Sequence, residues 1–157
     1  MDDYSHISGH EELRKYYGKE LSFHDSEILN VVLERGPQGT DEWSPSLTAK
    51  FHLFAWLPAD PETHFISFHK HSLVTIRFNG IYDLDAVGFN QQNAILDLII
   101  EQLEDVGHAK RYSVYFDPAH GLGAKFICCS IELLALEKDL PKEKIPGGYK
   151  FRSKDSI

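Results

Sequence analysis

The strongest constraint on the fold is a segment in which apolar and polar side chains alternate. From Leu47 to Leu57 every odd-numbered residue is apolar, and Lys50 and His52 are among the polar residues between them. A period of two places the apolar side chains on one face of an extended chain, which is typical of a half-buried β-strand. Pro58 ends the pattern, because proline cannot donate a ladder hydrogen bond. The chain therefore needs further strands to pair with this one.

Other segments supply those strands, and turn residues separate them. The segments are residues 28–34, residues 74–78, a strand that begins at Val114, and residues 124–132. In the first, we expect Leu29, Val31 and Leu33 to share one face. Asn79-Gly80 predicts a tight turn, and none of the connections leaves room for a crossover helix. We therefore expect antiparallel pairing.

The N-terminal region favours a short helix. Ser8 and Glu11 have the spacing of a capping box, in which each side chain bonds a free backbone N–H of the first turn. Leu13 and Tyr16 then recur at helical spacing, and Gly18 is a natural stop. Such a helix can place one apolar stripe against a core.

Residues 94–106 fit two interpretations. Their apolar residues form a helical stripe, yet Leu96, Leu98 and Ile100 also alternate as in a strand. We favour a strand, because it would form a meander with the segment that begins at Lys110.

The chain has 157 residues, which is typical of one domain. We predict a mainly β (α+β) fold, either an antiparallel β-sandwich or a partly closed barrel, with a short N-terminal helix. Residues 1–20 would be the helical segment, 21–136 the β core and 137–157 a charged tail that extends an edge or frays.

The two cysteines, Cys128 and Cys129, are adjacent and predict no disulfide framework. With no signal peptide and no membrane-length apolar run, we expect a cytoplasmic protein.

The charge of the chain is unevenly distributed. The formal net charge is −8, and the six Lys/Arg and four Asp/Glu from residue 137 onwards leave −10 on the first 136 residues. A run without Lys or Arg contains Asp83, Asp85, Asp97, Glu101, Glu104 and Asp105. Such a field would repel nucleic acid and anionic membranes and attract a cationic partner. A solvated acidic surface that only keeps the protein soluble is the simpler explanation of the same charges.

Two groups of polar residues were candidates for chemistry. His64, His69 and His71 could bind a metal ion, but no carboxylate or cysteine accompanies them at ligand spacing. His24 and Asp25 could form a general base and its orienting carboxylate, but the chain has no nucleophile motif to use them. A turn in which Asp25 bonds backbone N–H groups is the simpler interpretation. We therefore predict no catalytic residues, no metal and no cofactor.

The large aromatic residues Trp43 and Trp56 are candidate anchors for a partner. Trp56 shares a strand face with Phe54, opposite Leu53 and Leu57. We expect that face to be covered, since large aromatic residues usually pack. If it is exposed, it is a candidate interface hot spot.

Three stretches of the sequence resemble a known family. They are Leu21-Ser22-Phe23-His24-Asp25-Ser26-Glu27-Ile28, the pair of segments 77–80 and 88–93, and residues 121–132. Together they resemble the immunity protein family numbered fifty in bacterial polymorphic toxin systems, over most of residues 21–136. The matching residues His24, Asp25, Asn90 and Asn93 could either contact a toxin or stabilise turns.

The resemblance implies a non-enzymatic protein that binds and neutralises a cognate toxin. The acidic charge agrees with a cationic toxin. As partner-binding residues we predict the six acidic residues above together with Trp43 and Trp56. Two alternatives remain: a β protein that binds a small molecule, and a hydrolase or metal enzyme that uses the histidines and Asp25. The chain could be a monomer or a homodimer.

Overall fold

A computed structural model describes residues 3–36, 44–104, 107 and 109–147, and these residues form a two-layer β-sandwich. The elements in chain order are β1 (Ile7–Ser8), α1 (His10–Tyr17), β2 (Glu27–Glu34), β3 (Ser46–Trp56), β4 (Phe68–Asn79), β5 (Tyr82–Val87), β6 (Ile95–Gln102), β7 (Tyr112–Pro118), β8 (Gly123–Cys128) and β9 (Ser130–Glu137). Short 3-10 turns occupy Gly18–Glu20 and Lys142–Lys144. The predicted class, mainly β with one short N-terminal helix, is confirmed.

The strands divide into two sheets. The first sheet has the order β1-β9-β4-β3-β2, and the second has the order β5-β8-β7-β6. Pairing is antiparallel except between β1 and β9. The ambiguous segment 94–106 contains strand β6, as we favoured. The sheets join through a bridge between Glu27 and Ala94, and the described residues form an open sandwich, not a closed barrel.

Aromatic rings hold the two sheets together. Phe51 of the first sheet meets Phe116 of the second edge to face, with ring centroids 5.6 Å apart, and Phe78 meets Phe126 in the same way at 5.1 Å. Phe23 packs against Phe51 at 5.3 Å. Edge-to-face contacts set the positive ring edge against the negative ring face, which adds to the free energy of apolar burial. This cluster fixes how the sheets are stacked.

The start of the helix differs from the prediction. Ser8 lies in β1 opposite Glu132 of β9, so it cannot cap α1, and the helix begins after Gly9 without a side-chain cap. Gly9 has φ 92, and a Cβ there would lie 3.2 Å from Leu133. Pairing with β9 therefore overrides the capping box. The predicted stop at Gly18 is confirmed, since its N–H donates to the Arg14 carbonyl.

A bulge changes which side chains of β2 face the core. The register shifts between Ile28 and Asn30, and Ile28 is buried instead of Leu29. Beyond the bulge, Val31 and Leu33 lie opposite the buried Ala49 and Leu47, so they share the inner face as predicted. The predicted place of Leu29 on that face is wrong, because one extra residue inverts the alternation.

The chain after β9 contributes to packing. Leu140 is buried, and its N–H donates to the His71 carbonyl at 2.9 Å. The predicted charged tail is thus attached to β4 near its start, and residues 148–157 lie outside the described residues. Among the described residues, no helix is both long and apolar enough to cross a membrane.

Candidate partner-binding surfaces

An apolar cavity opens between the β2 edge of the first sheet and the β5 edge of the second. Its volume is about 330 Å³. The lining residues are Asn30, Val31, Leu33, Leu47, Leu84, Ala86, Phe89, Phe116, Leu122 and Ala124. Leu33 and Phe89 stand at the rim with 57% and 59% of their surface exposed. We call this cavity the edge groove; it can accept an apolar group from another molecule.

The edge groove lies beside a strand with an open outer edge. The start of β2 is covered, because Glu27 bridges to Ala94 and the Ile28 N–H donates to the Asn93 carbonyl at 2.9 Å. From Asn30 to Glu34, no strand in the described part of the chain pairs with β2 on that side. An open strand edge can pair with another chain.

The predicted acidic residues lie on both edges of the second sheet. Asp83 and Asp85 are on β5, whereas Asp97 and Glu101 are on β6, with β8 and β7 between them. Three strand spacings separate the two edges by about 14 Å. The structure therefore does not gather these residues into one cluster. Glu104 follows β6, and Asp105 lies outside the described residues.

These carboxylates differ in their partners. Asp97 accepts hydrogen bonds from the Tyr4 hydroxyl at 3.2 Å and from the Leu98 N–H at 2.8 Å, so it has a structural role. Within the described ranges, no ion pair or hydrogen bond engages the side chains of Asp83, Asp85, Glu101 or Glu104. Their charges remain available to a partner.

A second apolar surface lies at the tip of the β3–β4 hairpin. Trp56 is 40% exposed and Phe65 is 64% exposed. The surface consists of Trp56, Leu57, Phe65, Ile66 and Phe68, and we call it the hairpin patch. Phe68 packs edge to face on Trp56 at 4.9 Å and on Phe54 at 4.7 Å. Phe54 is buried as expected, but Trp56 is not covered, because the hairpin extends past the core.

The hairpin tip is ordered by its own hydrogen bonds. The Leu57 N–H donates to the Ser67 carbonyl at 2.9 Å and continues the ladder beyond β3. Asp60 Oδ1 accepts from the N–H groups of Glu62 and Thr63 at 2.9 and 3.1 Å. The exposed apolar residues are therefore held in place before any partner binds, which lowers the entropy cost of binding. Trp43, the other predicted anchor, lies outside the described residues.

Histidines near the hairpin patch form a buried pair. His52 Nε2 lies 2.9 Å from His71 Nδ1, and His52 is 0% exposed. Burial, with a smaller contribution from the neighbouring His71, lowers the pKa of His52 to about 3. Burial also lowers the pKa of His71, with a smaller contribution from His69. Each ring is therefore neutral at physiological pH, since a protonated imidazole would be poorly solvated there.

The three histidines considered as metal ligands, His64, His69 and His71, do not come together. Lys70 has φ 53 at a register shift, so His69 approaches Glu20 at 3.5 Å whereas His71 contacts His52. His64 is exposed in the hairpin turn. Among the described residues, no three His, Cys, Asp or Glu side chains are grouped in a way that could hold a metal ion.

The motif residues join the two sheets at one corner. His24 Nδ1 donates to the Leu96 carbonyl at 2.7 Å, and the Asp25 N–H donates to the Ile95 carbonyl at 2.9 Å. Asp25 has φ 63 and also lies 3.5 Å from His24 Nε2. Both residues thus connect the entry of β2 to β6.

Asn93 organises the neighbouring loops. Its Oδ1 accepts from the Asn90 N–H at 2.9 Å and the Leu122 N–H at 3.0 Å, and its Nδ2 donates to the Asn90 carbonyl at 2.8 Å. Gly121 approaches so closely that a Cβ would lie 2.5 Å from Asn93 Oδ1. Because Asn93 is buried, its hydrogen bonds act within the chain.

The sequence did not predict the edge groove. Leu33 was expected on an inner face, but Leu84 and Phe89 lie among acidic and polar residues and carried no signal. The groove depends on how far the sheets diverge at their β2 and β5 edges, which no local pattern encodes.

Comparison with known proteins gives one match. The family model described as Immunity protein 50 matches residues 9–138. The match includes α1, which the motif resemblance did not cover, and ends one residue after β9. No curated protein and no solved structure matches the chain.

The buried histidine pair predicts that acid destabilises the fold. The unfolded His52 protonates near pH 6.5, whereas the folded one does so only near pH 3. Lowering the pH through this window therefore favours the unfolded state. Between pH 7.5 and 5.5, we expect His52 to reduce the free energy of unfolding by about 1.4 kcal/mol, measured by urea denaturation. His52→Gln should flatten the dependence, whereas Leu53→Val, which shortens a buried side chain of the same strand without removing a titratable group, should leave it unchanged. Equal slopes in all three proteins would contradict this origin.

Proposed function

Because the chain belongs to the Immunity protein 50 family, we propose that it neutralises a cognate toxin by binding to it. The family match carries this proposal. It spans 130 of the 157 residues (9 to 138) and contains every strand from β2 to β9. The fold would then present a binding surface in a cell exposed to the toxin of a competitor.

The use of the polar motif residues supports binding rather than catalysis. His24, Asp25 and Asn93 form hydrogen bonds that join β2 to β6 and organise the loops beside them. A general base must reach a substrate proton, and a side chain committed to the fold is poorly placed to do so. We infer that neutralisation is stoichiometric.

The charges support a toxin whose facing surface is basic. The net charge is −8, and Asp83 and Asp85 on β5 and Glu101 and Glu104 near β6 have no ionic partner in the described part of the chain. Unpaired surface carboxylates accelerate the encounter with a cationic protein more than they tighten the final complex. We assign them to steering.

The hairpin patch is our candidate anchor for the body of the toxin. Tryptophan and other aromatic residues dominate binding energy at interfaces when they are held in place and become fully buried. Trp56 meets the first condition, because Phe68 and the ordered turn support it.

The edge groove supports a second candidate function, the binding of a small apolar molecule. Its volume of about 330 Å³ is at the lower limit of typical ligand pockets. Nine of its ten lining residues are apolar, so it offers few groups to orient a ligand. This favours an apolar group carried by a larger partner.

Co-expression with the product of the gene immediately upstream tests the proposed function. We expect the upstream protein to kill the host alone, and this chain to restore growth and co-purify with it. Phe51→Ala, which removes a buried ring between the sheets, is the unfolded control and should not rescue. A toxic upstream protein that this chain neither binds nor blocks would contradict the proposal.

The steering residues predict a salt-dependent association rate. At low salt, the double variants Asp83→Asn/Asp85→Asn and Glu101→Gln/Glu104→Gln should each associate with the toxin about three- to tenfold more slowly. At high salt the difference should shrink, because ions screen exposed charges. Glu11→Gln/Glu12→Gln on α1 changes the net charge equally and serves as the control. Identical association rates for all three double variants at low salt would contradict the steering role.

A further inference from the structure

The edges of the two sheets are unequally protected against pairing with another chain. β1 has only two residues. On β5, Asp83 has φ 54 at a register shift, and on β6 a register shift and Glu101 interrupt the edge. Bulges and charges of this kind prevent strand addition. The bulge of β2 lies before its open half, so it does not protect residues 31–34.

The open half of β2 is apolar. Val32 and Leu33 are 47% and 57% exposed, and the strand contains neither lysine nor proline. Leu33 faces the edge groove, whereas Val32 lies opposite Thr48 on the outer face of the sheet. An extended segment added here would form backbone hydrogen bonds with β2 and direct every second side chain into the groove.

The apolar lining of the edge groove and the charges near it indicate which kind of partner would bind there. The groove is apolar, so the inserted side chain is apolar. Glu34 ends β2 on the same outer face as Val32, and the neighbours of an inserted side chain would point to that face. Basic residues at those neighbouring positions would complement Glu34 and the net charge of −8. A second copy of this chain is less suitable, because it carries the same net charge of −8 and like charges oppose association.

We propose that the open half of β2 binds an extended segment of the toxin, which adds a strand to the first sheet and places an apolar side chain in the edge groove between basic neighbours. The inference rests on the proposed function. The groove lies about 30 Å from Trp56, since Leu47 and Trp56 are nine positions apart on β3. A domain of ordinary size can span that distance.

Affinity measurements with the purified toxin domain test this contact. Leu33→Asp places a charge at the groove rim, and Ala86→Trp fills the groove from β5. Both residues are exposed, so the buried core is unchanged, and thermal unfolding midpoints near the wild-type value verify this. We expect each variant to raise Kd at least tenfold. Leu134→Asp introduces the same charge at an exposed leucine of β9, three strands away from β2 in the same sheet, and should change Kd less than threefold.

Several outcomes would overturn the inference. Wild-type affinity in both groove variants would do so, as would a loss of affinity confined to Trp56→Ala at the hairpin patch. A small apolar molecule retained by the wild-type protein and lost from Ala86→Trp in native mass spectrometry would assign the groove to a ligand. A dimer that Leu33→Asp dissociates would assign it to a second copy. If the wild-type chain binds no toxin at all, the proposed function fails as well, so the two failures are distinguishable.

Discussion

Edge-to-face packing between phenylalanine rings of the two sheets is the contact on which the structure depends. Phe51 with Phe116 and Phe78 with Phe126 join the layers at their centre, and the Asn93 network joins them at one corner. Nothing comparable joins β2 to β5 within the described residues, where small or distant side chains leave the edge groove. Because the aromatic contacts at the centre hold the two sheets together, the sheets can remain apart at their β2 and β5 edges.

The open edge distinguishes one side of the sandwich from the others within the described residues. A β-sandwich that closed on all sides would offer only side chains to a partner, whereas this one also offers backbone groups and an apolar cavity. Leu84 and Ala86 of β5 line the cavity, and the acidic residues Asp83 and Asp85 alternate with them along the same strand. The hairpin patch, supported by Phe68 and an Asp60 turn, is a separate rigid surface at the other end of β3.

The sequence predicted what depends on local alternation and missed what depends on pairing between distant segments. β3 and the second half of β4 were found because apolar side chains recur there at every second position, and β6 because a strand completed the meander. Ser8 was predicted to cap α1, but it pairs with Glu132 of β9, which lies 124 positions later in the chain (132 minus 8). The bulge in β2 moved Leu29 from the core face. The edge groove could not be predicted, because its lining residues Leu33, Leu84 and Phe89 come from separate elements.

The most direct test of the account is a titration of the purified toxin's activity with this chain. We expect activity to fall linearly and to reach background at one chain per toxin molecule, because neutralisation by tight binding consumes one inhibitor for each target. Complete loss at far lower ratios would mean that the chain acts catalytically. Full activity at a large molar excess would mean that it is not the inhibitor of that toxin.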